Sequence, residues 1–277
     1  MERLKRGWRL AMVSLGVLRS DRCLGVFPVL GGLAALFAVA AFGAPAALLW
    51  FEDLPVLAVI LAAIGIYVSG YLGIFFSVAL AGAAAIALDG RDASLSDGFA
   101  VARRSAGTIA GWAAIVVSVN VILRAIAERA GPLGDLVVGI FGLAWGLVTF
   151  LVVPVSALED VGPISALKRS AGIFRSRWGE QITGNLSIGI FAFVVAFLPA
   201  MIILEITFAT GNGIAIGVGI AIAAILFVAG AVLSAALNGI FADALYRYAA
   251  GQEDTGPFAA TDLESAIRPR RARTGDI

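Results

Sequence analysis

A run of 62 residues from Gln181 to Ala242 contains a single charged side chain, that of Glu205. A soluble domain of this chain's size does not bury so long an apolar stretch, because about one quarter of its residues would be charged. A membrane-spanning helix needs about 20 apolar residues, so the run is long enough for two spans. Thr210-Gly211-Asn212-Gly213 supplies a turn between them, since glycine and asparagine favour turns. The run therefore predicts a helical hairpin within a membrane.

The remainder of the chain is almost as apolar. Of its 277 residues, 60% are hydrophobic and 14% are charged, so the apolar excess needs lipid as its solvent. Further apolar stretches bring the predicted spans to six, at residues 23–51, 55–88, 106–127, 133–158, 181–209 and 214–248. We expect a basic amphipathic helix over residues 1–22, a membrane domain over 23–250 and a flexible cytoplasmic tail over 251–277. The predicted fold class is an all-α polytopic membrane helix bundle of six spans with cytoplasmic amphipathic interfacial helices.

The positions of lysine and arginine predict the orientation of the spans. Of the 20 basic residues, 18 lie in the N-terminal segment, the second and fourth connections and the C-terminal tail. Basic connections stay in the cytoplasm, so both termini are predicted to be cytoplasmic. The exceptions, Arg124 and Arg129, lie near the outer end of the third span. They favour an outer interfacial helix that ends at Gly131-Pro132, and a pore-facing Arg124 is the alternative.

Three cytoplasmic segments, Arg3–Ser20, Asp97–Gly107 and Gly162–Glu180, have apolar residues at helical spacing and basic residues beside them. A helix with one apolar and one basic face lies in the plane of the membrane surface. Each cation near anionic headgroups contributes about 1 kcal/mol to binding. The residues predicted to bind lipid headgroups are Arg6, Arg9, Arg103, Arg104, Lys168, Arg169, Arg175 and Arg177.

A short motif recurs in two of these segments. Arg104-Ser105-Ala106-Gly107 is repeated as Arg169-Ser170-Ala171-Gly172, and each copy precedes an odd-numbered span. One interpretation is a unit of one surface helix and two spans that is used three times. The other is a chance match in a chain that contains 33 glycines.

The residues needed for catalysis are scarce. The chain has no histidine, which is the commonest general base and metal ligand, and its only cysteine is Cys23. Asp89, Asp92 and Asp97 could hold a divalent cation, but their spacing fits a solvated acidic loop better. We therefore predict no enzymatic activity, no catalytic or metal site and no cofactor. Asp243 and Arg247, four residues apart, are expected to form a helical ion pair.

Ionisable and polar residues within spans point to a second class of function. Glu205 lies within the fifth predicted span, after Pro199, and Arg124 and Asn120 lie in the third. Such residues often mark ion or substrate pathways. Glu205, Arg124 and Asn120 are the candidate transport site, with an ordinary interfacial carboxylate at Glu205 as the alternative.

Short segments near both ends of the chain, together with the repeated Arg-Ser motif, carry a family resemblance. Arg6-Gly7-Trp8, and the ending Ala242–Ala249 followed by Gly256-Pro257-Phe258, resemble an uncharacterised family of prokaryotic multipass membrane proteins. The chain is also distantly similar to the membrane domain of some bacterial glycerophosphodiester phosphodiesterases, which is not their catalytic part. The resemblance implies six spans and interfacial helices in a prokaryotic inner membrane, and it supplies no catalytic residues.

Together these features favour a non-enzymatic integral membrane protein that organises lipids or partner proteins at the cytoplasmic face. A small-solute or ion transporter or channel is the alternative. The partners expected are anionic lipid headgroups and a second copy of the chain. The net charge of +1 gives no reason to expect nucleic acid.

Overall fold

The computed structural model describes residues 2–177, 193–251 and 256–258, and all the regular structure in these ranges is helical. The helices are α1 Glu2–Ser20, α2 Cys23–Phe51, α3 Pro55–Leu88, α4 Leu95–Arg104, α5 Ala106–Thr149, α6 Val152–Leu158, α7 Pro163–Arg177, a π-helical turn Phe193–Phe197, α8 Leu198–Ala209 and α9 Gly213–Ala249. Five helical segments among the described residues are long and apolar enough to cross a membrane, and α8 is a shorter apolar helix. The prediction of an all-α polytopic membrane bundle is therefore confirmed. Much of the fifth predicted span lies outside the described residues.

Helix α5 is continuous in its backbone but is not a straight rod. Trp112 and Trp145 would be roughly 50 Å apart in a straight helix. Their rings instead stack with centroids 6.0 Å apart. The chain therefore folds back between the two spanning segments Ala106–Arg129 and Val138–Leu158. The reversal lies between Arg129 and Val138, and the outer interfacial helix expected to end at Gly131-Pro132 stays a prediction.

The hairpin of α8 and α9 forms where the sequence predicted it. Asn212 has extended backbone, and its Oδ1 accepts hydrogen bonds from the N–H groups of Ile214 and Ala215, which caps α9. Gly219 of α9 lies directly against Thr207 of α8, where a side chain would not fit. The turn and the small residue together allow the two helices to pack closely.

The packed core lies where α2 begins and α3 and α9 end. Phe27 and Phe241 are its largest fully buried side chains, and the alanine-rich end of α3 packs around them. Large apolar side chains such as Phe37, Phe51 and Val56 are exposed further along the helices. This arrangement is expected when lipid surrounds the bundle, because apolar side chains need no protein cover there.

Helix α4 is held in this core by close contacts. Its Gly98 approaches the ring of Phe27 and the carbonyl of Ala79, and Val101 packs over Gly82 of α3. Ser94 and Asp97 form a capping box at its start. Hydrogen bonds from Ser94 lower the pKa of the Asp97 carboxyl. The cap and the small residues together fix α4 across the ends of α2 and α3.

Part of the predicted tail 251–277 belongs to the folded domain. Phe258 is 2% exposed and packs in the core. Gly256, two residues earlier, has a φ of +63° and lies against the carbonyl of Leu88, a position that only glycine occupies without strain. The segment 256–258 therefore packs against the end of α3.

Candidate functional site at the basic end

Helices α1, α4 and α7 present cations at one end of the bundle, which we call the basic end. It is the end where α2 begins and α3, α6 and α9 finish. Six of the cations predicted to bind headgroups are exposed there, namely Arg9, Arg103, Arg104, Lys168, Arg169 and Arg175. The side chains of Arg6 and Arg177, which were also predicted to bind headgroups, lie outside the part that the structure describes.

Each of these helices is attached to the bundle through small or apolar residues. Leu10, Ala11 and Val17 of α1 are buried, as are Ala102 of α4 and Ala166 of α7. The exposed cations are therefore carried on helices whose positions are fixed by packing.

Helix α1 also presents an apolar surface away from the protein. Trp8 and Met12 are 45% and 41% exposed, although they belong, like Leu15 and Leu18, to the apolar residues that recur at helical spacing in Arg3–Ser20. Leu15 and Leu18 are half-buried against the core. Tryptophan is common where membrane meets water, so this surface suits contact with lipid.

The serines of the repeated motif have the same structural role in both copies. Ser105 Oγ donates a hydrogen bond to the carbonyl of Ser156 at 2.8 Å, and Ser170 Oγ donates to the carbonyl of Val148 at 2.5 Å. Both carbonyls lie on the returning segment Val138–Leu158. The serines therefore join the surface helices to one span.

The arginines of the motif also contact protein. Arg169 Nε is 3.0 Å from Glu159 Oε1, and this contact raises the pKa of the Arg169 guanidinium. Arg104 Nη2 lies 3.5 Å from the carbonyl of Ala157, which is a weak contact. Two of the predicted headgroup-binding residues thus already have protein partners at the end of α6.

Glu159 connects three helices at this point. Besides Arg169, its Oε1 accepts a hydrogen bond from the hydroxyl of Tyr246 on α9, with the two oxygens 2.6 Å apart. The carboxylate follows directly after α6 and therefore ties α6, α7 and α9 together.

The ion pair predicted between Asp243 and Arg247 is wrong. Arg247 instead reaches across to α3, where Nη1 binds Asp89 Oδ1 and Nη2 binds the carbonyl of Ala85, both at 2.5 Å. Asp243 is fully buried, and neither of its oxygens accepts a hydrogen bond. The guanidinium extends to the partly exposed Asp89 because that carboxylate lies beyond the end of α3.

Acid is expected to weaken the contact between Arg247 and Asp89, which we call the latch. The hydrogen bond from Arg247 lowers the pKa of the Asp89 carboxyl below 3.8, and Arg91 adds to the effect. A lowered pKa means that the stabilisation is complete above pH 3.8 and is lost as pH falls through the folded-state pKa. We expect the melting temperature in detergent to fall below about pH 4 and Asp89→Asn to reduce that dependence. An unchanged acid profile in Asp89→Asn would contradict this assignment.

The other acidic residues near the basic end have structural roles or are solvated. Asp21 accepts hydrogen bonds from the N–H groups of Ala93 and Cys23, and Cys23 Sγ lies 3.2 Å from the carbonyl of Ala93. Asp92 is exposed. No group of three potential metal-ligating side chains occurs among the described residues.

The three transport candidates are not brought together among the described residues. Arg124 pairs with Glu128 at 3.0 Å in an exposed position, and Asn120 donates to the carbonyl of Val116 in its own helix. Glu205 is exposed on α8. No contact joins Glu205 to Arg124 or Asn120 in the described part of the chain.

The comparisons with known proteins give one match. A family described as "Family of unknown function (DUF6159)" matches residues 56–256. No curated protein matches, and no solved structure matches. The similarity to the membrane domain of glycerophosphodiester phosphodiesterases and the prokaryotic origin stay predictions.

Proposed function

We propose that this chain, which belongs to the DUF6159 family of unknown function, binds anionic lipid headgroups through the exposed cations of its basic end. The chain is a multipass membrane protein, with apolar helices long enough to span the bilayer. In this proposal it is not an enzyme. Its basic end faces the cytoplasm, where it organises lipid or partner proteins.

Three unpaired cations carry the proposal. Arg103, Lys168 and Arg175 are exposed and, among the described residues, contact no carboxylate. They lie on α4 and α7, which are docked by packing and by hydrogen bonds to the end of the fourth predicted span. Cations held near a membrane surface attract anionic headgroups with about 1 kcal/mol each.

Neutralising these cations is expected to remove the lipid preference. In the triple variant Arg103→Gln, Lys168→Gln, Arg175→Gln, the selectivity for spin-labelled phosphatidylglycerol over phosphatidylcholine should fall by at least about tenfold. The largest fall in selectivity that we expect is roughly 100-fold, since three contacts supply about 3 kcal/mol. Electron spin resonance of the reconstituted protein at low and at high salt measures the selectivity, and salt should weaken it in the wild type.

Arg124→Gln is the matched control, because Arg124 is an exposed arginine that lies away from the basic end and pairs with Glu128. Its lipid selectivity should equal that of the wild type. Unchanged selectivity in the triple variant would refute the proposal, as would an equal loss in Arg124→Gln.

The cytoplasmic orientation has its own test. The proposed topology places Gly251, directly after α9, on the cytoplasmic side, because basic segments are retained there. A reporter active only in the periplasm should be silent when fused after the C-terminus. Activity of that reporter would reverse the orientation.

A further inference from the structure

We propose that a lateral groove between α2 and α9 binds one acyl chain of an anionic phospholipid, whose phosphate contacts Arg19 and Arg22. This inference rests on the headgroup preference proposed above and assigns that preference to a particular site. The groove has a volume of about 620 Å³. One wall is formed by Leu18, Gly25 and Val29, and the other by α9 from Ala224 to Ala236.

The shape of the groove suits an extended hydrocarbon chain. Its α9 wall is one face of the helix, with residues that recur every three or four positions from Ala224 to Ala236. That stretch is about 18 Å long. One leaflet of a bilayer has a hydrocarbon thickness of about 15 Å. The wall therefore extends over about the depth that an acyl chain occupies in the membrane.

The residues that line the groove explain why a space remains there and why that space is apolar. All ten residues that line the groove are apolar, and Gly25, Ala224, Ala229 and Ala236 are small. The small residues leave a channel between two spanning helices, and the channel opens toward the side of the bundle. Water has no polar partner there, whereas an acyl chain fits without loss of hydrogen bonds.

Two arginines lie at the end of the groove that is nearest the basic end. Arg19 directly follows Leu18, and Arg22 lies between Leu18 and Gly25. Both are exposed, and neither pairs with a carboxylate in the described part of the chain. Asp21 between them forms no ion pair with either arginine in the described part of the chain, and its oxygens accept hydrogen bonds from the backbone N–H groups of Cys23 and Ala93.

The charges select the ligand, and the groove determines where it binds. Moving an acyl chain from bilayer to groove gains no hydrophobic free energy, since both surroundings are apolar. Affinity must come from van der Waals contact along the walls and from the two guanidinium groups, which bind phosphate well. Filling the groove and removing the arginines should therefore each release the lipid.

Gly25→Leu tests the groove. A Cβ at this position would be 3.7 Å from Leu18 Cδ1, an ordinary contact, and Gly25 lines the groove, so we expect a leucine here to fill part of it. Gly43→Leu is the matched control, since it makes the same change in the same helix, where nothing lies within 4 Å. Ala229→Trp fills the groove from the opposite wall and serves as a second variant. Thermal unfolding in detergent checks that each variant is folded.

The measurement is native mass spectrometry of the protein, released from nanodiscs that contain equal phosphatidylglycerol and phosphatidylcholine. We expect wild type and Gly43→Leu to retain one phosphatidylglycerol. Gly25→Leu, Ala229→Trp and the double variant Arg19→Gln, Arg22→Gln should lower the retained fraction about tenfold or more. Equal retention in all variants would overturn the proposal. So would equal retention of the two lipids by the wild type, or loss of a dimer instead of a lipid, which would assign the groove to a second copy.

The two proposals fail separately. If the groove variants retain as much lipid as the wild type, while the triple variant of α4 and α7 loses its selectivity, only the proposed groove site is refuted. If the groove variants lose the lipid, while the triple variant keeps its selectivity, the function proposed for those helices is refuted and the groove site is supported.

Discussion

Arg247→Met is expected to lower the free energy of unfolding by about 1.5–3 kcal/mol, the usual contribution of a hydrogen bond to a charged group, because its partner Asp89 is partly exposed to solvent. The Arg247 side chain is 8% exposed and binds Asp89 and the Ala85 carbonyl. Without it, Asp89 loses its main partner. Asp243 then stays fully buried with no cation near it and no hydrogen bond in place. Unfolding by denaturing detergent, followed by circular dichroism, measures the loss.

Two further variants make this prediction specific. Arg91 is the other partner of Asp89, but it is 67% exposed, so Arg91→Gln should cost less than about 1 kcal/mol. Asp243→Asn replaces a buried carboxyl that can ionise by an amide that cannot, so adding it to Arg247→Met should restore part of the lost stability. Equal losses of stability in Arg247→Met and Arg91→Gln would show that the latch contributes nothing.

Gly98→Leu is expected to detach α4 and to destabilise the protein by about 3 kcal/mol. A Cβ on Gly98 would lie 2.6 Å from the carbonyl oxygen of Ala79 and would overlap the ring of Phe27. The carbonyl belongs to helix α3 and cannot move aside, so α4 itself must shift. Because α4 carries Arg103, the variant should also lose part of the lipid selectivity. Detergent unfolding and spin-labelled lipid measure the two effects.

The control is Gly107→Leu, which places the same side chain at the start of α5, where nothing lies within 4 Å. It should keep or slightly raise stability, because leucine is the better helix former. If Gly98→Leu is as stable as Gly107→Leu, the close packing of α4 on α3 does not keep α4 in place.

Local features of the sequence decided which segments form membrane helices. The apolar runs 23–51 and 55–88 coincide with α2 and α3, and the Asn212 turn separates α8 from α9. Run length and turn residues act over a few neighbours, so the sequence contains them directly. The density of cations on α4 and α7 was likewise visible without a structure.

Long-range contacts could not be predicted in this way. Asp89 and Arg247 are 158 residues apart, and the sequence suggested the nearer Asp243 as the partner. The arginines of the repeated motif were assigned to lipid, although Arg169 pairs with Glu159. These partners depend on which helix ends meet at the basic end.

The sequence by itself determined that this chain crosses a membrane in helices and carries its cations in particular connections. Only the tertiary structure decided which faces of those helices meet, and so which charges pair and where a groove remains. The physical reason is that apolar residues occupy every face of α2, α3 and α9, because one solvent for them is lipid. Hydrophobic periodicity then no longer distinguishes a face packed on protein from a face exposed to the bilayer, and small residues such as Gly98 and Gly25 settle the packing.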